Sequence, residues 1–143
     1  MNPSSKPDAP QSLTGARLRK HADYQRAYAA ARKRQSASMS WFLAAQTMQS
    51  PAPPPAGPRI GLTVPKALGK AHDRNRIKRR MREALRRHVD LLPQGFDIIL
   101  HPRRSVLTLQ FAQLEAEAVR VLEQARREAA RLAPAAAPQG LAS

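Results

Sequence analysis

The stretch that decides the fold is Arg59-Ile60-Gly61-Leu62-Thr63-Val64-Pro65-Lys66, followed after a short break by Ala71-His72-Asp73-Arg74-Asn75-Arg76-Ile77-Lys78-Arg79-Arg80-Met81-Arg82-Glu83-Ala84-Leu85-Arg86-Arg87-His88-Val89. Ile60, Leu62 and Val64 make the first part a β-like run. In the second part Ile77, Met81, Ala84, Leu85, His88 and Leu92 recur at i, i+4, i+7, i+8, i+11 and i+15, an apolar stripe of helical period that can dock on a sheet. Asp73, ahead of the first cationic turn, is expected to cap this helix at the positive end of its dipole. A strand leading directly into a basic helix argues against a pair of helices there, and so against a helix-turn-helix reader of DNA.

The other face of the helix is unusual in charge. Arg74, Arg76, Lys78, Arg79, Arg80, Arg82, Arg86 and Arg87 surround a single Glu83. A merely solvated face mixes both signs; here like charges repel at i, i+4. An external polyanion relieves that repulsion, and the planar guanidinium suits phosphate and stacks on bases. The whole chain leans the same way: 143 residues carry 25 Lys and Arg against 10 Asp and Glu, a formal charge of +15. Each phosphate contacted releases counterions, so a nucleic acid is the expected partner. An anionic membrane fits less well, because no helical segment sets a broad bulky apolar face opposite its basic residues. Charge alone does not choose RNA over DNA.

Working outward, Asp23 to Ala31 places Tyr24, Ala27, Tyr28 and Ala31 at helical spacing, with Asp23 as the expected N-cap. Trp41, Phe42 and Leu43 read as a strand, with Trp41 in the core. Asp97-Ile98-Ile99-Leu100 reads as another, closed by Pro102. Leu109 to Arg131 regains helical spacing through Leu114, Ala118, Val121, Leu122 and Ala125, with Glu115, Arg120, Glu123 and Arg127 on its wet side. Residues 51–58 form a Pro-rich loop that cannot donate to a ladder. Residues 1–12 and 133–143 hold few large apolar groups and are expected to be disordered tails around one domain spanning residues 13–132. The order helix, strand, strand, helix, strand, helix predicts an α+β sandwich, a small mixed sheet packed against helices.

Several functions are excluded. The chain has no cysteine, which removes disulfides, thiol catalysis and cysteine-ligated zinc. Residues 1–12 lack the apolar centre of a signal peptide, and no apolar run approaches the ~20 residues of a membrane span, so a cytoplasmic protein is expected. A protein-only nuclease needs carboxylates converging on metal ions. Glu115 and Glu117 are i, i+2 on a helix and point apart, Asp73 serves the helix start, and His21, His72, His88 and His101 are scattered. No metal site is expected on the chain.

The ordered run Arg59 to Lys66, then Gly69-Lys70-Ala71, then Arg74-Asn75-Arg76-Ile77-Lys78-Arg79 with Arg82-Glu83 resembles the signature of the bacterial ribonuclease P protein family. Arg17-Leu18, Asp23-Tyr24 with Tyr28, and Asp97 to Leu100 with Arg103 resemble its flanks, so the likeness runs from about Arg17 to Arg127. The resemblance implies a sandwich with a left-handed βαβ crossover, against the general right-handed rule. It implies that a catalytic RNA holds the Mg2+ ions and performs the chemistry, while the protein assists removal of the 5′ leader from precursor tRNA without an obligatory protein partner. It assigns Arg74, Asn75, Arg76, Lys78, Arg79, Arg80 and Arg82 to the catalytic RNA, and Tyr24, Tyr28 and Lys66 to the leader, with no catalytic residue on the chain. Three positions depart from the family pattern: Ala67 replaces a usual second Lys, Ala44 a common aromatic, and Pro102 a usual Ala. Tyr24 stands where Phe is usual, which preserves stacking. The alternative is a non-enzymatic RNA-binding or ribosomal-type protein, which shares the charge but not the ordered strand-Lys-Gly-helix pattern.

Overall fold

A computed structural model of the protein describes residue 13, residues 16–46 and residues 57–132. The two expected tails and residues 51–56 of the Pro-rich loop lie outside the described residues. Seven main elements follow in order: α1 (His21–Ala30), β1 (Arg32–Gln35), β2 (Met39–Ala45), β3 (Arg59–Leu62), α2 (Ala71–Leu85), β4 (Phe96–Pro102) and α3 (Phe111–Leu132). The sheet runs β1-β2-β4-β3. β2 is antiparallel to β1 and β4, whereas β3 and β4 are parallel and are bridged by α2, so this is the mixed α+β sandwich expected.

Register sorts the side chains between two faces. Arg32, Leu43, Ile98 and Ile60 lie in one row across the strands, and Arg34, Trp41, Leu100 and Leu62 in another; both rows face α2 and α3. Met39, Trp41, Leu43, Ile98 and Leu100 there join Ile77, Met81, Ala84 and Leu85 of α2 and Leu114, Ala118, Val121, Leu122 and Ala125 of α3 in one dry core. The row between them, Lys33, Phe42, Ile99 and Gly61, faces α1. The packing on that side is smaller: Leu18, Ala27, Ala44 and Ile99, with Tyr24, Tyr28, Ala31 and Phe42 at its margin.

Several expectations need correction. Asp23 is not a cap: α1 begins two residues earlier, the N–H groups of Asp23 and Tyr24 bond the Lys20 carbonyl at 3.0 and 3.1 Å, and the Asp23 side chain is buried in an ion network. Asp73 is likewise inside the first turn of α2, which starts at Ala71 after Lys70; its carboxylate faces His72 and Arg104 instead of a backbone N–H, though it still complements the helix dipole. The apolar stripe does not run on as one helix. α2 ends at Leu85, a tighter 3₁₀ turn takes Arg86 to Leu91, and His88 there is half-buried against Glu115 at 2.9 Å; Leu92 returns to the core.

β1 was not expected, because Arg-Lys-Arg-Gln has no apolar alternation. It is held by pairing with β2 and by α3. Glu117 accepts from Ser36 Oγ at 2.5 Å, from the Ser38 N–H at 2.7 Å and from Ser38 Oγ, and Arg34 pairs with Glu128 at 2.9 Å. Two acids on the buried side of a helix thus fasten a polar hairpin.

Candidate nucleic-acid interface

The first surface is the outer side of α2. Its inner side is committed to the core through Ile77, Met81, Ala84 and Leu85, all at most 3% exposed, so the helix cannot rotate its cations away from solvent. Asn75, Arg76, Arg79 and Arg82 are exposed, and Arg74 and Lys78 are half-buried. Asn75, Arg79, Arg82 and Arg86 fall at i, i+4, i+7 and i+11 and share a stripe. Glu83 is taken by Arg86 at 2.7 Å, leaving no carboxylate for the others on this helix face among the described residues. Two of the expected cations have structural partners. Arg74 Nε donates to the Gly69 carbonyl at 3.1 Å, and Arg80 donates to the Leu109 carbonyl while its Nε is buried. Arg80 therefore ties α2 to the segment leading into α3.

The loop before α2 is shaped by Gly69, whose φ of 139° suits glycine alone. Arg104 passes over it, donating to the Leu68 carbonyl at 2.6 Å and reaching Asp73 at 3.4 Å. A Cβ on Gly69 would strike that guanidinium.

The second surface lies on the opposite face of the sheet, beside α1. Tyr28 sits edge-on to Phe42 with ring centres 5.1 Å apart and to His101 at 5.6 Å; Phe42 and His101 are 5.1 Å apart. The Tyr28 hydroxyl lies 2.7 Å from His101 Nε2 and 3.3 Å from Thr63 Oγ1. Burial, with the nearby charge of Lys33, pushes the His101 pKa below its ordinary 6.5, so the imidazole is neutral at pH 7. Tyr24 is 6.3 Å from Tyr28 and packs against Gly61, where a Cβ would come within 2.5 Å of its hydroxyl oxygen. That hydroxyl donates to the Leu18 carbonyl at 3.3 Å, and burial raises its pKa. Tyr24 and Tyr28 are both half-buried, part packing and part surface. Lys66 is exposed on the turn that follows β3 and has no ion pair among the described residues.

A buried ion network closes the far end of this face. Arg59 grips Asp97 with two bonds of 2.7 and 2.8 Å and reaches Asp23 at 3.0 Å, while Arg26 meets Asp23 at 2.8 Å. Burial pushes Asp23 upward, but Arg26 and Arg59 more than offset it and its pKa is lowered. At Asp97 burial prevails and the pKa is raised. Across the described residues no group of three or more His, Cys, Asp or Glu could hold a metal ion.

The chain's likeness to known proteins is one of sequence and fold. The family model described as Ribonuclease P matches residues 14–126. The chain belongs to that family. It is 33% identical over 103 residues to the ribonuclease P protein component of Thermobifida fusca, covering 71% of this chain and 69% of that protein. With the component from Thermotoga maritima it shares 40% over 62 residues, covering 43% and 52%. The RNase P protein of Staphylococcus aureus superposes with a TM-score of 0.61 at 26% identity, over 78% of this chain and 95% of that one. The RNase P protein of Thermotoga maritima superposes with 0.62 at 26%, over 76% and 96%. Members of the family are protein components of a ribonucleoprotein endoribonuclease that processes tRNA, and this chain is one of them.

Within that family setting, sequence reading gathered the α2 cations and both tyrosines but missed Phe42, Thr63, His101, Lys33 and the Arg59 network. A signal for Phe42 existed: it alternates with Trp41 and Leu43 and so faces the other side of the sheet. The rest join the surface only through strand register. Among the described residues no helix is long and apolar enough to cross a membrane.

Proposed function

We propose that the chain assists leader removal by holding two RNAs on two faces of one sheet. The catalytic RNA docks on Asn75, Arg76, Arg79 and Arg82, with Arg74 and Lys78 beside them and Arg80 bracing the helix. The single-stranded leader of precursor tRNA lies along Tyr24, Tyr28, Phe42 and His101, with Lys33 and Lys66 near its phosphates. Base stacking on such rings contributes roughly 1–3 kcal/mol per base and tolerates sequence, as a leader that varies between tRNAs requires. A neutral His101 can stack and hydrogen-bond without adding a buried charge. The chemistry is assigned to the RNA, together with the Mg2+ ions, since the buried acids of this chain are occupied by Arg26, Arg34, Arg59, Ser36 and Ser38. The same reading puts the chain in the cytoplasm with its substrate.

The observation that carries this reading is the opposition of the two surfaces. α2 lies on the dry face of the sheet and the aromatic cluster on the other, so one small domain can touch both RNAs at once. The test adds purified chain to a bacterial ribonuclease P RNA at low magnesium and follows leader removal from precursor tRNA. Stimulation is expected; its absence with a folded chain sinks the proposal.

A further inference from the structure

Between the two surfaces, at the β3 side of the sheet, lies a cavity of about 130 Å³. A single water needs only ~10–15 Å³ on this measure, so the space admits a larger group. Three cations from two parts of the chain line it: Arg17 ahead of α1, and Lys78 and Arg82, one turn apart on α2. No carboxylate lines it, and none of the three side chains has an ion pair among the described residues. Three like charges around one cavity are held together at a Coulombic cost that a bound anion removes. Arg17 is fixed in place by backbone: its neighbours bracket Ile60, with Leu18 N–H on the Ile60 carbonyl and Ile60 N–H on the Ala16 carbonyl, each at 2.7 Å.

The rest of the lining is apolar. Leu13, Ile60, Leu62 and Leu85 form it together with Gly61 and Tyr24. A bare inorganic anion has no use for such a floor, whereas a flat heterocycle does. Tyr24 belongs to the aromatic surface and Lys78 and Arg82 to the helix surface, so the cavity is where the two meet.

Building on the reading of α2 and α1 as RNA-binding surfaces, we propose that this cavity takes one unstacked nucleotide. Its phosphate sits among Arg17, Lys78 and Arg82 and its base rests on the leucines and Tyr24. Arg17 thereby becomes a binding residue that neither surface by itself includes. The nucleotide comes either from a bulge of the catalytic RNA or from the leader; both offer the same chemistry.

The full chain, labelled with ¹⁵N, is titrated with adenosine 5′-monophosphate, adenosine and inorganic phosphate while the Gly61 and Leu62 amide signals are followed. The monophosphate is expected to shift both and to bind at least tenfold more tightly than adenosine or phosphate. Arg17→Ala is expected to weaken it at least tenfold, and Arg17→Gln serves if the alanine variant proves unstable. Equal affinity for the three probes, or no effect of the Arg17 variants in a folded chain, overturns the inference. The source is then read in the assembled complex. Because the chain has no cysteine, Leu13→Cys accepts a single photo-crosslinker. Crosslinks to the catalytic RNA or to the leader each support the site and identify its occupant; crosslinks to protein alone, in a complex that still cleaves, refute it. Stimulated leader removal without nucleotide binding condemns this site alone, whereas failure of the chain to bind the catalytic RNA condemns the reading beneath it.

Discussion

The two faces of the sheet differ in kind. The face under α2 and α3 is a continuous apolar core in which Trp41, Met39, Ile77, Met81 and Leu114 are fully buried. The face under α1 holds four buried apolar residues, a buried Arg59 network and rings left half in water. Burying a large apolar side chain stabilises by about 1.5–3 kcal/mol, so the first face supplies most of the folding free energy. The second is freed to keep polar groups and partly exposed aromatics, which cost stability and are the surface proposed above for the leader. On that proposal, one side of the sheet serves cohesion and the other recognition.

This division can be broken in four ways, taken from the largest expected effect. Arg59→Ala leaves Asp23 and Asp97 buried without their shared cation, and we predict a loss of about 3–5 kcal/mol in urea unfolding. A loss under 1 kcal/mol would show that water replaces the guanidinium. Next, Leu100→Ala on the dry face should cost about 2–5 kcal/mol of stability with leader affinity kept in the folded fraction. Tyr28→Ala on the other face should reverse the pattern, weakening leader binding by roughly 1–3 kcal/mol with the smaller loss of stability. If the two variants move both readouts alike, the faces are not specialised.

The third concerns Glu117. Burial raises its pKa, but the hydrogen bonds from Ser36 and Ser38 and the charge of Arg120 outweigh that and hold it below the ordinary 4.5. A carboxyl lowered on folding contributes stability that is present above pH 4.5 and is lost as pH falls through the folded value. Glu117→Gln should therefore flatten the acid limb of the stability curve below pH 4.5, and an unchanged limb would remove Glu117 as its source. The smallest effect is expected on α2: Arg79→Ala, exposed and outside the core, should leave the melting temperature unchanged and reduce the salt slope of catalytic-RNA binding by about 0.7–0.9. An unchanged slope would place Arg79 away from phosphate.

How far the sequence could be read depended on the range of the interactions involved. The stripe Ile77, Met81, Ala84 and Leu85 was legible because helical period is a local property, and all four are in the core. The same pattern overran at His88, since periodicity is blind to a change from α to 3₁₀ geometry. β1 was invisible because Arg32 to Gln35 carries no apolar signal and is a strand only by pairing with β2 and by the anchors Glu117 and Glu128. Asp23 looked like a cap because capping is the commonest local use of an aspartate before a helical run, whereas its carboxylate pairs with Arg26 and with Arg59, the latter 36 residues away.

The sequence by itself determined the chain's cationic character, the amphipathic split of α2, the two tyrosines on one side of α1 and the family pattern around Arg74-Asn75-Arg76. These follow from composition and short-range spacing. Only the tertiary structure decided that Phe42, Thr63 and His101 join Tyr28, that Arg80 is a brace, and that Arg17 meets Lys78 and Arg82 around one cavity. Those outcomes rest on strand register and helix packing, where a shift of one residue sends a side chain to the opposite face.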